Sequence, residues 1–186
     1  MKKLLYSFAA VALLLSIGSC TKDPIAVKYG VTDTQVCLNA NPFYGPEQYY
    51  VIDINKSEVV TALANVGITY DPARIKSAKL ENAELVVVTS GVSLDLVSNA
   101  ALYVRDTQTG VNGTNKGTQI AYTENIAPGA AATALKLNGT EMREYALKDN
   151  FQLVIEVLNA DKTSTGGTPA FCLKLSNTRI TYSVKQ

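Results

Sequence analysis

The sequence predicts a mainly β protein, a two-sheet antiparallel β-sandwich of immunoglobulin-like or jelly-roll type with one or two short capping helices. Apolar and β-branched residues gather in short runs separated by Gly, Pro, Asn and Asp, which is typical of strands and turns. Several runs alternate apolar and polar residues, as strands with one buried face do. The chain has 186 residues, of which 47% are hydrophobic, enough for one core. We therefore expect a single domain over residues 31–186.

Eight runs have the composition of strands, and one of them alternates clearly. In residues 151–158, Phe151, Leu153, Ile155 and Val157 share one face, which predicts a half-buried strand whose other face carries polar residues. Two runs, 75–89 and 171–184, are more than twice the typical length of about 5 to 6 residues, so we expect a bend in each, the second of them at 176–178. The predicted strands are 32–38, 48–54, 75–89, 100–105, 119–124, 134–137, 151–158 and 171–184.

Two helices are predicted between the strands. Ser57 is a suitable N-cap and Gly67 a suitable C-terminal stop for the first helix. Its apolar residues at helical spacing are Val59, Val60, Leu63 and Val66. A weaker helical turn beginning at Thr140 places Met142, Tyr145 and Ala146 on one side, where they would plug the core. The Gly-rich segments 110–117 and 163–167 are predicted to be mobile hairpin tips.

Composition excludes several functional classes. With no His, the chain lacks the commonest general base and metal ligand, as well as every Ser-His-Asp or Cys-His arrangement. A net charge of +1 gives no positive field for nucleic acid. No cysteine pattern, acidic loop or glycine loop predicts zinc, calcium or a phosphate-bearing cofactor, so no metal and no cofactor are expected.

Four scattered acids near strand ends are candidate catalytic or cation-binding groups. They are Asp53, Asp71, Asp95 and Asp106. Their spacing matches no known pattern, so capping, turn and solvent roles are expected. The alternative is a carboxylate-dependent glycoside hydrolase, which needs two carboxyl groups about 5 to 10 Å apart in one cleft.

The first twenty residues have the organisation of a secretion signal. Lys2 and Lys3 are followed by an apolar run over 4–15 and by small residues up to Cys20. The apolar run is shorter than the ~20 residues that cross a bilayer as a helix. We expect no membrane-spanning helix in the mature protein.

The segment Ile17-Gly18-Ser19-Cys20 resembles the lipobox of bacterial lipoproteins. The resemblance covers the signal only. It implies that residues 1–19 are a signal peptide and that the Cys20 thiol receives a diacylglycerol. It also implies further acylation of the new amino terminus, with palmitate among the acyl chains. The protein would then be anchored to a lipid bilayer of the bacterial cell envelope, with the outer membrane expected, and residues 20–30 would form a flexible tether. The alternative is ordinary cleavage near Ser19 with Cys20 left as a free thiol.

The other two cysteines are Cys37 and Cys172. Each lies out of phase with its apolar neighbours, on the less apolar face of a predicted strand. In an exported protein they could form a disulfide if the first and last strands are neighbours. The alternative is two buried, reduced thiols that serve as small hydrophobic residues. The sequence leaves both alternatives open.

The densest aromatic stretch is a candidate ligand-binding site. It contains Phe43, Tyr44, Tyr49 and Tyr50 around Pro and Gly residues that predict a loop. Exposed rings could stack on an envelope glycan or on another surface protein, as in an adhesin, whereas buried rings would close the end of the sandwich. The leading functional hypothesis is a lipid-anchored, non-catalytic binding or structural module, with glycan binding and glycoside hydrolysis as alternatives. A subunit of a surface polymer that accepts a partner's strand at a sheet edge is a further possibility.

Overall fold

The computed structural model describes residues 23–31, 35–38, 47–159 and 171–185, and these form two antiparallel five-stranded sheets. The strands are β1 (Ile25–Gly30), β2 (Gln35–Leu38), β3 (Glu47–Asn55), β4 (Ile75–Val87), β5 (Val97–Asp106), β6 (Thr118–Tyr122), β7 (Ala132–Ala134), β8 (Lys136–Leu137), β9 (Asn150–Asn159) and β10 (Phe171–Val184). In the first sheet the order is β1-β10-β4-β7, and β2 also pairs with β10. In the second sheet it is β3-β9-β5-β6-β8.

One hydrophobic core lies between the two sheets. Leu85 and Tyr182 of the first sheet and Leu102 and Leu153 of the second are fully buried members of the same cluster. Burial of apolar surface on both inner faces is the main stabilising contribution in such a fold. The predicted two-sheet antiparallel sandwich is therefore confirmed.

Helix α1 (Lys56–Asn65) packs against both β1 and β3 and so bridges the two sheets. Val59 and Leu63 face the core, as predicted. The N-cap is Asn55 rather than Ser57, because Asn55 is the last residue of β3 and keeps an extended backbone. Gly67 follows the end of the helix with φ +75°, as predicted for a C-terminal stop. Its N–H donates to the Ala64 carbonyl.

Val66 was predicted to join the buried stripe of α1, but it is 57% exposed. It is the C-cap residue, and its backbone has already left the helical conformation. Its side chain therefore no longer follows the helical spacing of Val59 and Leu63.

Helix α2 (Arg143–Ala146) contacts β4 of the first sheet and β5 and β9 of the second. Met142 and Ala146 are buried, so this short turn plugs the core between the two sheets, as predicted. The helix begins later than Thr140. The Thr140 hydroxyl instead donates to the Gln119 carbonyl at 3.1 Å and bonds to the Asn138 side chain.

The tether prediction is wrong for residues 25–30. These residues form β1, which pairs with β10 along its whole length, and Val27 and Tyr29 are buried. The cause is the alternation of Ile25, Val27 and Tyr29, which presents an apolar face to the core.

A bulge interrupts β10 at the predicted position. Asn177 has φ +50°, and the register with β4 shifts between Ser176 and Arg179. β1 pairs with β10 on one side of the bulge and β2 pairs with it on the other. The prediction of a bend at 176–178 is therefore confirmed.

The predicted strand at 134–137 is two short strands in different sheets. β7 pairs with β4, whereas β8 pairs with β6. Between them Leu135 is buried and donates its N–H to the Ala83 carbonyl at 2.9 Å. The chain therefore crosses from one sheet to the other at Leu135.

Candidate functional site

The outer face of the second sheet carries a concentration of buried polar side chains. Arg105 of β5 and Gln152 and Glu156 of β9 are buried there beside Tyr103 and Val154. Their spacing of two along each strand places them on the face opposite the main core. The prediction that this face of β9 is a solvent-exposed polar face is wrong. β9 lies between β3 and β5, and the loop 107–117 is hydrogen-bonded to side chains of this face.

Glu156 is the centre of one group of contacts, which we call the Glu156 cluster: Glu156, Lys116, Tyr103, Tyr49 and Glu47. The Lys116 Nζ lies 2.5 Å from Oε1, and the Tyr103 hydroxyl donates to Oε2 at 2.7 Å. Burial alone would raise the pKa of the Glu156 carboxyl. Hydrogen bonds from Lys116 and Tyr103 and the charge of Lys116 outweigh burial, so the net pKa of Glu156 lies below the usual value. Glu156 is therefore held ionised.

Aromatic rings flank the ammonium group of Lys116. Its Nζ lies 4.8 Å from the centroid of the Tyr103 ring and 5.9 Å from that of Tyr49. Both distances are within the range of cation–π attraction. Desolvation lowers the pKa of Lys116, but its bonds to Glu156 and Tyr103 more than offset this, and the net pKa is raised. Lys116 and Glu156 therefore hold each other in their charged forms.

Arg105 fixes the same loop from the other end of this face. Its Nε donates to the Gln152 side chain at 2.9 Å, and its Nη1 donates to the Asn115 carbonyl at 2.9 Å. Its Nη2 donates to the Gln108 carbonyl at 3.3 Å. Gln152 in turn donates to Asp53 of β3 at 2.8 Å. One guanidinium thus joins the centre of the sheet to two points of the loop.

Two glycines of the loop, Gly113 and Gly117, lie close to the sheet. A Cβ on Gly117, whose φ is +96°, would lie 2.3 Å from the Val104 carbonyl oxygen and 2.6 Å from the Arg105 Cβ. A Cβ on Gly113 would lie 3.3 Å from the Tyr49 hydroxyl. The mobility predicted for 110–117 stays a prediction. Asn115 and Lys116 are hydrogen-bonded to side chains of the sheet, whereas Gly110 is exposed. Segment 163–167, the other predicted tip, lies outside the described residues.

The Glu156 cluster holds charge but presents no open pair of carboxylates. The Tyr49 hydroxyl donates to Glu47 at 2.7 Å, whereas Glu156 accepts from Lys116 and Tyr103, so the two carboxyl groups have different partners. Both oxygens of Glu156 are occupied, and the residue is only 7% exposed. The Glu156 cluster is suited to holding the loop 107–117 against the sheet.

The two described members of the predicted aromatic site point in opposite directions. Tyr49 and Tyr50 are neighbours in β3, so one ring packs on the outer face and the other against the main core. The Tyr50 hydroxyl donates to Gln48 at 2.7 Å, and burial raises its pKa to about 12. These two rings do not form one platform. Phe43 and Tyr44 lie outside the described residues.

The four acids weighed as catalytic groups have separate partners. Asp53 accepts from Gln152, and Asp71 accepts from the Ala73 N–H in a turn. Asp95 accepts from Ser93 and from the Gly129 N–H, and Asp106 is paired with Lys148. Turn, loop and ion-pair contacts account for Asp71, Asp95 and Asp106, and a side-chain hydrogen bond between strands accounts for Asp53. In the described parts of the chain no three His, Cys, Asp or Glu side chains are grouped as metal ligands would be.

Cys172 is disulfide-bonded, and its Cα partner across the β2–β10 pairing is Cys37. The Cys172 N–H donates to the Thr89 hydroxyl, and its carbonyl accepts from Val88, so both backbone groups point away from β2. In an antiparallel pair this is the non-hydrogen-bonded position, where Cα atoms lie about 4.5 Å apart, within the range that a disulfide spans. The reduced-thiol alternative is thus wrong for Cys172. Cys37 as its partner stays a prediction.

No sequence motif predicts a site at Lys116, Tyr103, Arg105 or Glu156. The available signal was that Val154 interrupts the polar face of β9, which indicates that this face is partly buried. The partners come from β5 and from the loop after it, and their meeting depends on the strand order.

Comparisons with known proteins assign no family to the chain. No family model matches the chain, and no curated protein matches it. A solved structure of Cocksfoot mottle virus is similar, with 10% identity, a TM-score of 0.32, and coverage of 100% of this chain and 97% of that chain. Within the described ranges no helix is long and apolar enough to cross a membrane.

Proposed function

We propose that the chain is a membrane-anchored lipoprotein of the bacterial cell envelope whose β-sandwich is a non-catalytic binding or structural module. The observation that carries the proposal is the run Ile17-Gly18-Ser19 directly before Cys20. Cys20 lies five positions before Ile25, the first residue of β1. Cleavage before Cys20 would remove none of the described strands. The same cut would place the lipid-bearing residue beside the start of the fold.

The lipid supplies the affinity for the membrane in this proposal. Each buried methylene contributes roughly 0.8 kcal/mol, and one acyl chain gives only reversible binding. A diacylglycerol on the Cys20 thiol brings two chains, which is enough for stable anchoring. An outer-membrane location is part of the proposal.

The contacts of the described acids support a module without catalysis. Glu156 is buried under Lys116 and Tyr103, and the acids weighed from the sequence are engaged in turns, caps and ion pairs. Rigid sheets with firmly packed loops are suited to presenting a fixed surface to an envelope glycan or to another surface protein.

Detergent phase partition tests the anchor. Wild-type protein expressed with its signal should enter the detergent phase, and Cys20→Ala should remain in the aqueous phase. Cys172→Ala is the control, because it removes a cysteine that lies within the β-sandwich and should partition as the wild type does. Wild-type protein in the aqueous phase, or partition that Cys20→Ala leaves unchanged, contradicts the proposal.

A further inference from the structure

We propose that one end of the sandwich, formed by the start of β1, the start of β4 and the end of β10, lies against the phosphate-bearing headgroups of the membrane that holds Cys20. The inference rests on the proposed lipid anchor and adds an orientation and a contact surface to it. We call this end the anchor end and define it by Ile25, Arg74, Lys76, Arg143 and Lys185.

Chain length is the first argument. Ile25 is opposite Val184, and Val184 is opposite Ile75, so the starts of β1 and β4 lie at the same end of the first sheet. Five residue steps separate Cys20 from Ile25. Whatever its conformation, a chain of that length spans at most about 17 Å. A lipid on Cys20 therefore keeps the anchor end near the membrane surface.

The length of β4 places the opposite end of the first sheet far from the anchor end. β4 has 13 residues, so its last residue lies roughly 40 Å from its first. That far end, near Val87 and Cys172, cannot reach the headgroups while the first sheet stands upright on its anchor end.

Charge is the second argument. Among the described residues, Arg74, Lys76, Arg143 and Lys185 form no salt bridge. Arg74 donates from Nε to the Lys185 carbonyl at 2.8 Å, and the Lys185 N–H donates to the Arg74 carbonyl at 2.8 Å. Arg143 donates from Nε to the Ile75 carbonyl at 2.6 Å. These bonds gather basic residues around the first residue of β4.

The carboxylates of Asp71 and Glu141 near this end are hydrogen-bonded to backbone N–H groups and not to these basic side chains. Asp71 accepts from Ala73 at 2.9 Å, and Glu141 accepts from Ala78 at 2.7 Å and from Arg143 at 2.9 Å. Asp23 is exposed just before β1. Unpaired basic side chains within about one Debye length of a membrane surface are attracted to anionic headgroups.

The first experiment locates the two ends of β4. Lipidated Pro72→Cys and Ser90→Cys proteins, each labelled with a fluorophore at the new thiol, are bound to phosphatidylglycerol-containing vesicles that carry a headgroup quencher. Both positions are exposed. We expect loss of most fluorescence at position 72 and essentially none at position 90. Equal quenching at the two positions, or none at position 72, overturns the orientation.

Partition of the same samples separates the two proposals. If the labelled proteins bind vesicles only when Cys20 is present but position 72 is not quenched, the anchor stands and the orientation fails. If Cys20→Ala protein binds equally well, the proposed function fails, and the orientation that rests on it fails too.

The second experiment tests charge on the protein labelled at position 72. Lys76→Gln with Lys185→Gln should remove at least half of the quenching on anionic vesicles. The matched control is Lys136→Gln with Arg179→Gln, which removes the same charge from positions away from the anchor end and should leave quenching unchanged. Equal effects of the two pairs, or no effect of either, overturn the headgroup contact.

Discussion

The Lys116 Nζ lies 2.5 Å from Oε1 of Glu156 and so joins the β5–β6 loop to β9, an inner strand of the second sheet. Both side chains are largely shielded from water, and Tyr103 and Tyr49 flank the lysine. A shielded pair of this kind is worth more than a surface ion pair only when its remaining polar atoms are satisfied. The Tyr103 hydroxyl satisfies the second oxygen of Glu156.

Replacement of Glu156 by Gln should destabilise the protein in a pH-dependent way. The pKa of the folded Glu156 lies below its usual value of 4.5, so its stabilising contribution is present above that pH and is lost as the pH falls through the folded pKa. Chemical denaturation should give a gap from the wild type of about 1–3 kcal/mol at pH 7 that narrows below pH 4.5. Glu124→Gln, which loses an exposed pair with Lys136, should cost less than about 1 kcal/mol. A gap that is independent of pH would contradict the assignment.

Gly117→Ala should be far more destabilising than Gly110→Ala. Both glycines have positive φ in the same loop, but only at Gly117 does an added Cβ meet the Val104 carbonyl, at 2.3 Å. We expect roughly 1–2 kcal/mol for Gly110→Ala and more than about 3 kcal/mol for Gly117→Ala. Thermal melts of the two variants would measure the difference, and equal costs would show that the loop does not rest on β5.

Arg105→Lys should free the loop 107–117 from the sheet while it keeps the positive charge at this position. Lysine lacks the fork that reaches Gln152, Asn115 and Gln108 together, so we expect a loss of about 2–3 kcal/mol. Limited proteolysis should show new cleavage within 107–117. Arg179→Lys, at an exposed position, should change stability by less than about 0.5 kcal/mol and leave the cleavage pattern unaltered. A protected loop in Arg105→Lys would contradict the role given to Arg105.

Loss of the Cys172 disulfide should lower the free energy of unfolding by about 2–5 kcal/mol. Reductant should lower the melting temperature of the wild type and have no effect on Cys172→Ala. Peptide mapping without reductant should recover the Cys37 peptide joined to the Cys172 peptide. Recovery of the two peptides separately would show that Cys37 is not the partner of Cys172.

The sequence predicted most strands because their residues alternate or cluster between turn residues, and a local pattern is enough for that. The bulge at 176–178 was also readable, because three consecutive polar residues interrupt an apolar alternation. β1 was missed although Val27 and Tyr29 alternate correctly, since a short strand next to the predicted signal peptide has the length and position expected of a tether.

The candidate site could not be predicted in the same way. Glu156 and Gln152 have the polar character of a solvated strand face, and their burial follows only from the pairing of β9 with β3 and β5. Lys116 lies 40 residues from Glu156 along the chain, and no local pattern joins them. The opposite placement of Tyr49 and Tyr50, by contrast, follows directly once both are assigned to one strand.

The intact mass of membrane-extracted protein, compared between the wild type and Cys20→Ala, tests the central claim most directly. The account predicts a wild-type chain that begins at Cys20 and carries the added mass of acyl chains, and it predicts that Cys20→Ala lacks this added mass. A wild-type mass that fits an unmodified chain, whether cleaved near Ser19 or not, would contradict the lipid anchor and the orientation that depends on it.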